Sequence, residues 1–163
     1  MGQKAMFSIE AISARTRPVI DRQIAESWGG PYVVSKGALH DTRAHCGFAA
    51  VESGEVIGYI LYNIADSDCE ITVLESLRQG CGAGSALVRE VIRTAKETRC
   101  RRVWLITTND NTRAIRFYQR FGFMLQAVHI DAMDEARKLK PQIPMTGDDD
   151  IPIQHEFEFE WSL

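Results

Sequence analysis

Apolar positions recur along this chain with two periods, and each change of period marks an element. Phe7 to Ser13 alternates as a short strand, while Pro18 to Trp28 repeats Ile20, Ile24 and Trp28 every four residues, the spacing of one helix face. Gly29, Gly30 and Pro31 end that helix, and Tyr32 to Cys46 has no clean period and reads as loop. Phe48 to Glu52 and Val56 to Ile64, joined at Ser53 and Gly54, read as a β-hairpin, with Cys69 to Glu75 as a fourth strand. Ser85 to Glu97 places Leu87, Val88, Val91, Ile92 and Ala95 on one helical face. Val103 to Thr107 is a short apolar run of the buried-strand type.

The remaining elements are marked by their ends. Asn111 stands where a cap is needed for a helix carrying Ala114, Phe117, Tyr118 and Phe121 at core spacing, and Gly122 stops it. Phe123 to Ile130 reads as a strand. Asp131 is expected to cap a short helix with Asp134 and Glu135 early and Arg137, Lys138 and Lys140 late, as the helix dipole favours, ended by Pro141. In Glu156 to Trp161 three glutamates alternate with Phe157, Phe159 and Trp161, the pattern of a strand with one wet and one buried face. No repeat, low-complexity tract or linker intervenes, so residues 1–163 read as one α/β (α+β) domain on a mixed sheet.

Composition narrows the function. The chain is 45% hydrophobic and 25% charged, enough apolar content for a packed core. Its net charge of −3 supplies no positive field for a phosphate backbone, so no nucleic-acid partner is expected. No apolar run reaches the roughly 18 to 20 residues that cross a bilayer, and the first residues lack the order of a secretory signal. Met1 and Gly2 suggest myristoylation, but Met6 stands where that pattern wants Ser or Thr. A cytoplasmic protein without a membrane partner is the expectation. Cys46, Cys69, Cys81 and Cys100 form no CxxC pair, and His40, His45, His129 and His155 have no ligand spacing, so no metal site is expected.

The candidate chemistry centres on residues 79–84, Gln-Gly-Cys-Gly-Ala-Gly, which open directly into a helix. Bare backbone N–H groups and the positive helix end converge there on a place for an anion, and glycine keeps side chains out of the way. A nucleotide P-loop needs Lys and then Ser or Thr after its last glycine, but Gly84 is followed by Ser85 and Ala86. A dinucleotide fingerprint needs GxGxxG early in a βαβ unit, and here the spacing is GxGxG at mid-chain. The third reading is a coenzyme A pyrophosphate cradle, whose Gln/Arg-x-x-Gly-x-Gly/Ala pattern Gln79, Gly82 and Gly84 satisfy.

With that loop the sequence resembles the GNAT superfamily of acetyl-CoA-dependent N-acetyltransferases. Asn111, Ala114, Tyr118, Gly122 and Phe123 reproduce a second family signature, NxxAxxxYxxxGF. The resemblance is specific from Cys69 to Phe123, and strings such as Leu105 to Asn111 and Ala136 to Pro141 are similar to those of stand-alone bacterial members. It implies a mixed, mostly antiparallel sheet of six to seven strands, splayed between the fourth and fifth and flanked by helices. It also implies acetyl-CoA as acetyl donor, with the pyrophosphate on Gln79, Gly80, Cys81, Gly82, Ala83, Gly84 and Ser85. The Cys81 side chain is given no role.

The same resemblance implies backbone donors near Leu74 and Ser76 toward the pantetheine arm and the acetyl carbonyl. Asn111 and Tyr118 are two helical turns apart and share a face about 10 Å long. Asn111 is therefore expected at the pantetheine arm and Tyr118 at the sulfur as general acid; the plain alternatives are a helix cap and a core aromatic. Glu70 is preferred to Glu75 as base. Five residues apart, the two face opposite sides of a regular strand, and a bulge would change that parity. Residues 28–36 and 148–160 are expected to meet the acceptor, a small-molecule or protein amine. Asp148, Asp149, Asp150 and the alternating glutamates would attract it, the plain alternative being a solvated loop and the wet face of an edge strand. A homodimer paired through the final strand remains open, as does a non-catalytic acetyl-CoA sensor as the alternative function.

Overall fold

The computed structural model describes residues 6–163, so the reading of Met1 and Gly2 lies outside the described residues. Nine strands and four α-helices follow in the order β1 (Ser8–Ala11), α1 (Arg17–Trp28), β2 (Tyr32–Ser35), β3 (Ala38–Asp41), β4 (Cys46–Glu52), β5 (Glu55–Ala65) and β6 (Asp68–Ser76). After these come α2 (Ala83–Glu97), β7 (Arg102–Thr108), α3 (Thr112–Phe121), β8 (Met124–His129), α4 (Ala132–Leu139) and β9 (Glu156–Ser162). Pro18 in the first turn of α1 and left-handed Gly29 after its last residue set its limits. Asn111 Oδ1 accepts the Ala114 N–H at 3.2 Å and starts α3, which Gly122 ends at φ 123°.

Seven strands form one sheet in the order β1-β4-β5-β6-β7-β9-β8. Every neighbouring pair is antiparallel except β6 and β7, as a mostly antiparallel mixed sheet requires. Each face carries a core. Leu87, Val88 and Val91 of α2 and Tyr118 of α3 pack with Ile60, Ile71, Leu105 and Phe159 on one side. Ile20 and Ile24 of α1 pack with Val33, Tyr59, Leu61 and Val73 on the other. Full burial of each such aliphatic side chain contributes about 1.5–3 kcal/mol.

Ile71 and Val73 share a parity yet lie in opposite cores. Val73 pairs with Leu61 and Ile71 with Tyr62, which leaves Thr72 as an extra residue in β6. This bulge turns the strand over. Glu70 and Glu75, opposite Asn63 and Tyr59 on β5, therefore share the α1 face. The β6–β7 ladder runs only from Asp68 with Arg102 to Ile71 with Leu105, and the strands diverge at the bulge.

Four expectations are corrected. Residues 32–41 form a hairpin, β2–β3, whose turn at Lys36 (φ 47°) and Gly37 (φ 74°) is the twisted kind that suits two-residue connections. This hairpin covers Glu70, Glu156 and Glu158, so the β9 glutamates do not form a wet face: Glu156 and Glu158 are 2% and 4% exposed. Nor is β9 an edge; β7 and β8 occupy both its sides, which removes dimer pairing through that strand. Asp131 does not cap α4 with its side chain. It sits in the left-handed region at φ 56°, and its carboxylate accepts from Gln154 Nε2 at 2.8 Å.

Two outcomes are expected. Gly47→Ala would bring a Cβ within 2.1 Å of the Ile60 carbonyl oxygen, so it should cost about 1–3 kcal/mol or more in urea unfolding; an unchanged midpoint would contradict the close β4–β5 packing. Deleting Thr72 restores a regular β6 while keeping Ile71 and Val73 in their cores. The β6–β7 ladder should then extend, slowing hydrogen exchange at the Leu74 and Ser76 amides by about tenfold or more, whereas unchanged exchange would dissociate the bulge from the divergence.

Candidate active site

Where β6 and β7 part, a cleft of about 520 Å³ opens between Ile71–Leu74 and Leu105–Thr108, a volume suited to small-molecule binding. It reaches both faces of the sheet. On the α3 side Asn111, Ala114 and Tyr118 line it; on the α1 side the walls are Trp28, Val33, Met133, Lys140 and Glu156. The Leu77 N–H donates to Ile57 on β5, so strand alternation turns the N–H groups of Leu74 and Ser76 to the opposite edge, toward the opening.

The glycine loop ends at the start of α2. Gly80 (φ 73°) and Gly82 (φ 83°) occupy the left-handed region, and a Cβ on either would meet open space, so backbone conformation rather than packing calls for glycine here. Helix α2 has no side-chain cap, and its first intrahelical donor is Ala86 N, to Gly82 O. The N–H groups of Ala83, Gly84 and Ser85 are thus left to an external acceptor, with the helix dipole behind them. Gln79 and Cys81 turn back on the loop, to Ser76 O at 3.5 Å and Arg78 O at 3.3 Å. From Ser85 a second, more open groove of about 650 Å³ runs between α2 and α3 past Arg89, Arg93, Lys96 and Arg120.

Tyr118 is 5% exposed, edge-on to Phe117 and Phe123 and stacked near Phe159, so it is a core aromatic whose position also borders the cleft. Burial pushes its phenol well above the ordinary value. Asn111 likewise has two placements at once, as helix cap and as cleft wall.

The carboxylates divide by surroundings. Glu75 accepts from the Tyr59 hydroxyl and from Ser27 Oγ at 3.0 and 3.2 Å, which ties α1 to the sheet; burial and this hydrogen bond push the Tyr59 phenol upward. Glu70 is buried under the β2–β3 hairpin, where it accepts from Ser35 Oγ and lies 3.6 Å from His40 Nε2. Burial raises its carboxyl, against the Ser35 hydrogen bond and the His40 and Lys36 charges. Glu158 is also raised by burial, but Lys36 at 2.9 Å, His129 at 3.1 Å and Arg102 at 3.1 Å prevail and hold it at about 2.

Glu156, rather than Glu70 or Glu75, borders the cleft. Its Oε2 accepts the Lys36 N–H at 3.2 Å, and its Oε1, fully buried, has no partner among the described residues. Burial raises its carboxyl; the Lys36 N–H and His129 oppose that shift and Glu70 adds to it. Alternation with phenylalanines disguised this residue in the sequence. Of the expected acceptor segments, Trp28, Gly29, Val33, Val34, Ile153 and Glu156 reach the cleft, while Asp148, Asp149 and Asp150 are exposed away from it.

Comparison with known proteins agrees with this geometry. Residues 12–123 match the acetyltransferase (GNAT) family. The chain is 44% identical over 136 residues to the Bacillus subtilis (strain 168) "Uncharacterized protein YdhI", covering 83% of this chain and 85% of that one. Among solved structures, a Bacillus subtilis acetyltransferase in complex with CoA superposes with a TM-score of 0.71 at 17% identity, over 96% of this chain and 99% of that one. A GNAT family acetyltransferase from Elizabethkingia anophelis with acetyl-CoA bound gives 0.71 at 17%, over 98% and 100%. Sequence motifs, sheet divergence and family match coincide, and the chain belongs to the GNAT family of acetyltransferases.

Proposed function

We propose that the chain transfers the acetyl group of acetyl-CoA to a primary amine of a small molecule or an exposed protein chain, by direct attack in a ternary complex. The observation that carries this reading is the cleft that passes between β6 and β7 and opens on both faces, so that donor and acceptor approach the same point from opposite sides. The unpaired amides of residues 83–85 suit a pyrophosphate, and the basic groove beyond Ser85 suits the remaining negative charge of the carrier. The N–H groups of Leu74 and Ser76 are positioned for the pantetheine arm and the thioester carbonyl, where they would favour charge developing on its oxygen. Asn111 borders the same arm.

In the reaction the amine nitrogen forms a bond to the acetyl carbon as the carbon–sulfur bond breaks. An acceptor that enters as ammonium gives up one proton before attack and a second, to the base, as the bond to carbon forms; the sulfur leaves as a thiolate and takes its proton from solvent. Glu75 is engaged in holding α1, and Glu70 lies off the cleft wall beside Glu156, so we assign Glu70 the base role only by relay, through water, from the cleft. Tyr118 is the donor toward sulfur. Its burial keeps the phenol above a thiol's ordinary value near 8.5, so its contribution is a hydrogen bond to the departing sulfur rather than complete loss of its own proton.

Thiol release from acetyl-CoA with a panel of amines tests the proposal; tight coenzyme binding without transfer to any amine would instead make the chain a sensor. Tyr118→Phe should lower kcat about tenfold to a hundredfold with coenzyme affinity nearly unchanged. Equal loss in both would make Tyr118 a binding residue, and no loss would leave it a core aromatic only.

A further inference from the structure

Glu156 differs from every other carboxylate around it. It is 2% exposed, its Oε1 has no hydrogen-bond partner among the described residues, and it lies on the wall of the cleft. A buried carboxylate oxygen without a donor is unfavourable by itself and is expected where a ligand supplies the donor. Among the described residues, the cations nearest to it are engaged elsewhere. Lys36 Nζ holds Glu158 at 2.9 Å, as do His129 and Arg102, while Lys140 Nζ donates to the Trp28 and Tyr32 carbonyls. Glu70, the other acid beside Glu156, faces Ser35 and His40.

On this side the cleft carries Trp28, Val33, Val34, Met133 and Ile153, with Thr107, Thr108 and Gln142 as uncharged polar members, so its wall is mainly apolar and holds no second carboxylate. Lys140 also borders this end of the cleft, where it disfavours a second positive charge on the ligand.

We propose that Glu156 Oε1 receives the ammonium group of the acceptor, and that the acceptor is a compact monoamine whose remaining surface is apolar. This rests on the acetyltransferase reading and deepens it: one buried carboxylate fixes the nitrogen at the divergence of β6 and β7, and the apolar wall selects the body attached to it. A linear polyamine would place a second charge near Lys140 or in the apolar wall. A peptide would need partners for its backbone groups along that same wall.

The test compares benzylamine and n-hexylamine with spermidine and a short peptide bearing a free N-terminus, using thiol release in wild type and in Glu156→Gln and Glu156→Asp. The apolar monoamines should have kcat/KM at least about tenfold above the other two, and Glu156→Gln should raise the benzylamine KM about tenfold with acetyl-CoA affinity unchanged. Glu156→Asp, which keeps the charge, should recover part of the loss. Because Glu156→Gln removes a buried charge, its thermal midpoint should not fall. Titration of benzylamine into the CoA-loaded protein reads the same contact without chemistry and should show binding in wild type and about tenfold weaker binding in Glu156→Gln.

A preference for spermidine or the peptide, or benzylamine constants in Glu156→Gln within twofold of wild type, overturns the inference while the acetyltransferase reading stands. Acetyl-CoA binding without transfer to any of the four, and without benzylamine binding, overturns it as well. Failure to bind acetyl-CoA removes both.

Discussion

The rest of the molecule depends on one interrupted ladder. Four residue pairs, ending at Ile71 and Leu105, are all that join β6 to β7, and beyond them the backbone groups on the facing edges are left unpaired. In a continuous sheet such groups would be satisfied by a neighbour; here the extra residue Thr72 rotates β6 at the point where pairing stops. Thr72 is also fixed from the side, by a 2.8 Å hydrogen bond between its Oγ1 and His45 Nδ1. The result is a sheet divided into β1-β4-β5-β6 and β7-β9-β8, joined at one end and open at the other.

An open joint of this kind needs support elsewhere, and α2 supplies it. Leu87, Val88, Val91 and Ile92 contact a cluster that includes Ile57 and Ile60 from one half-sheet and Leu105 and Phe159 from the other. On the opposite face the hairpin β2–β3 bridges the halves through polar contacts, Ser35 to Glu70 on β6 and Lys36 to Glu156 and Glu158 on β9. One face is thus joined by apolar burial and the other by buried charge. The second arrangement places titratable groups beside the cleft, where a reaction that moves protons can use them.

Much of this was legible in the sequence because it is local. The helix faces of α2 and α3, the Asn111 cap, Gly122 and the glycine loop follow from spacing and backbone chemistry within a few residues. The β2–β3 hairpin was not legible. Its strands have four residues each, its turn is Lys36-Gly37 rather than a stronger pair such as Asn-Gly, and its inward positions mix Val33 with Ser35. Missing the hairpin led to misreading β9: alternating glutamates imply water unless something covers them, and the cover lies about 120 residues earlier in the chain, as the separation of Lys36 and Glu156 shows. The side-chain cap expected from Asp131 failed for a comparable reason, since Gln154 Nε2 on a distant segment donates to its carboxylate and His155 Nδ1 accepts its backbone N–H.

The central proposal is that the opening between β6 and β7, together with the uncapped start of α2, receives the coenzyme. Backbone amide chemical shifts followed during titration with CoA test it most directly. The account predicts that the largest changes fall on Leu74, Ser76 and residues 80–85, with Asn111 following, while β1 and β8 stay fixed. Changes confined to the outer strands, or a spectrum indifferent to CoA, would contradict it.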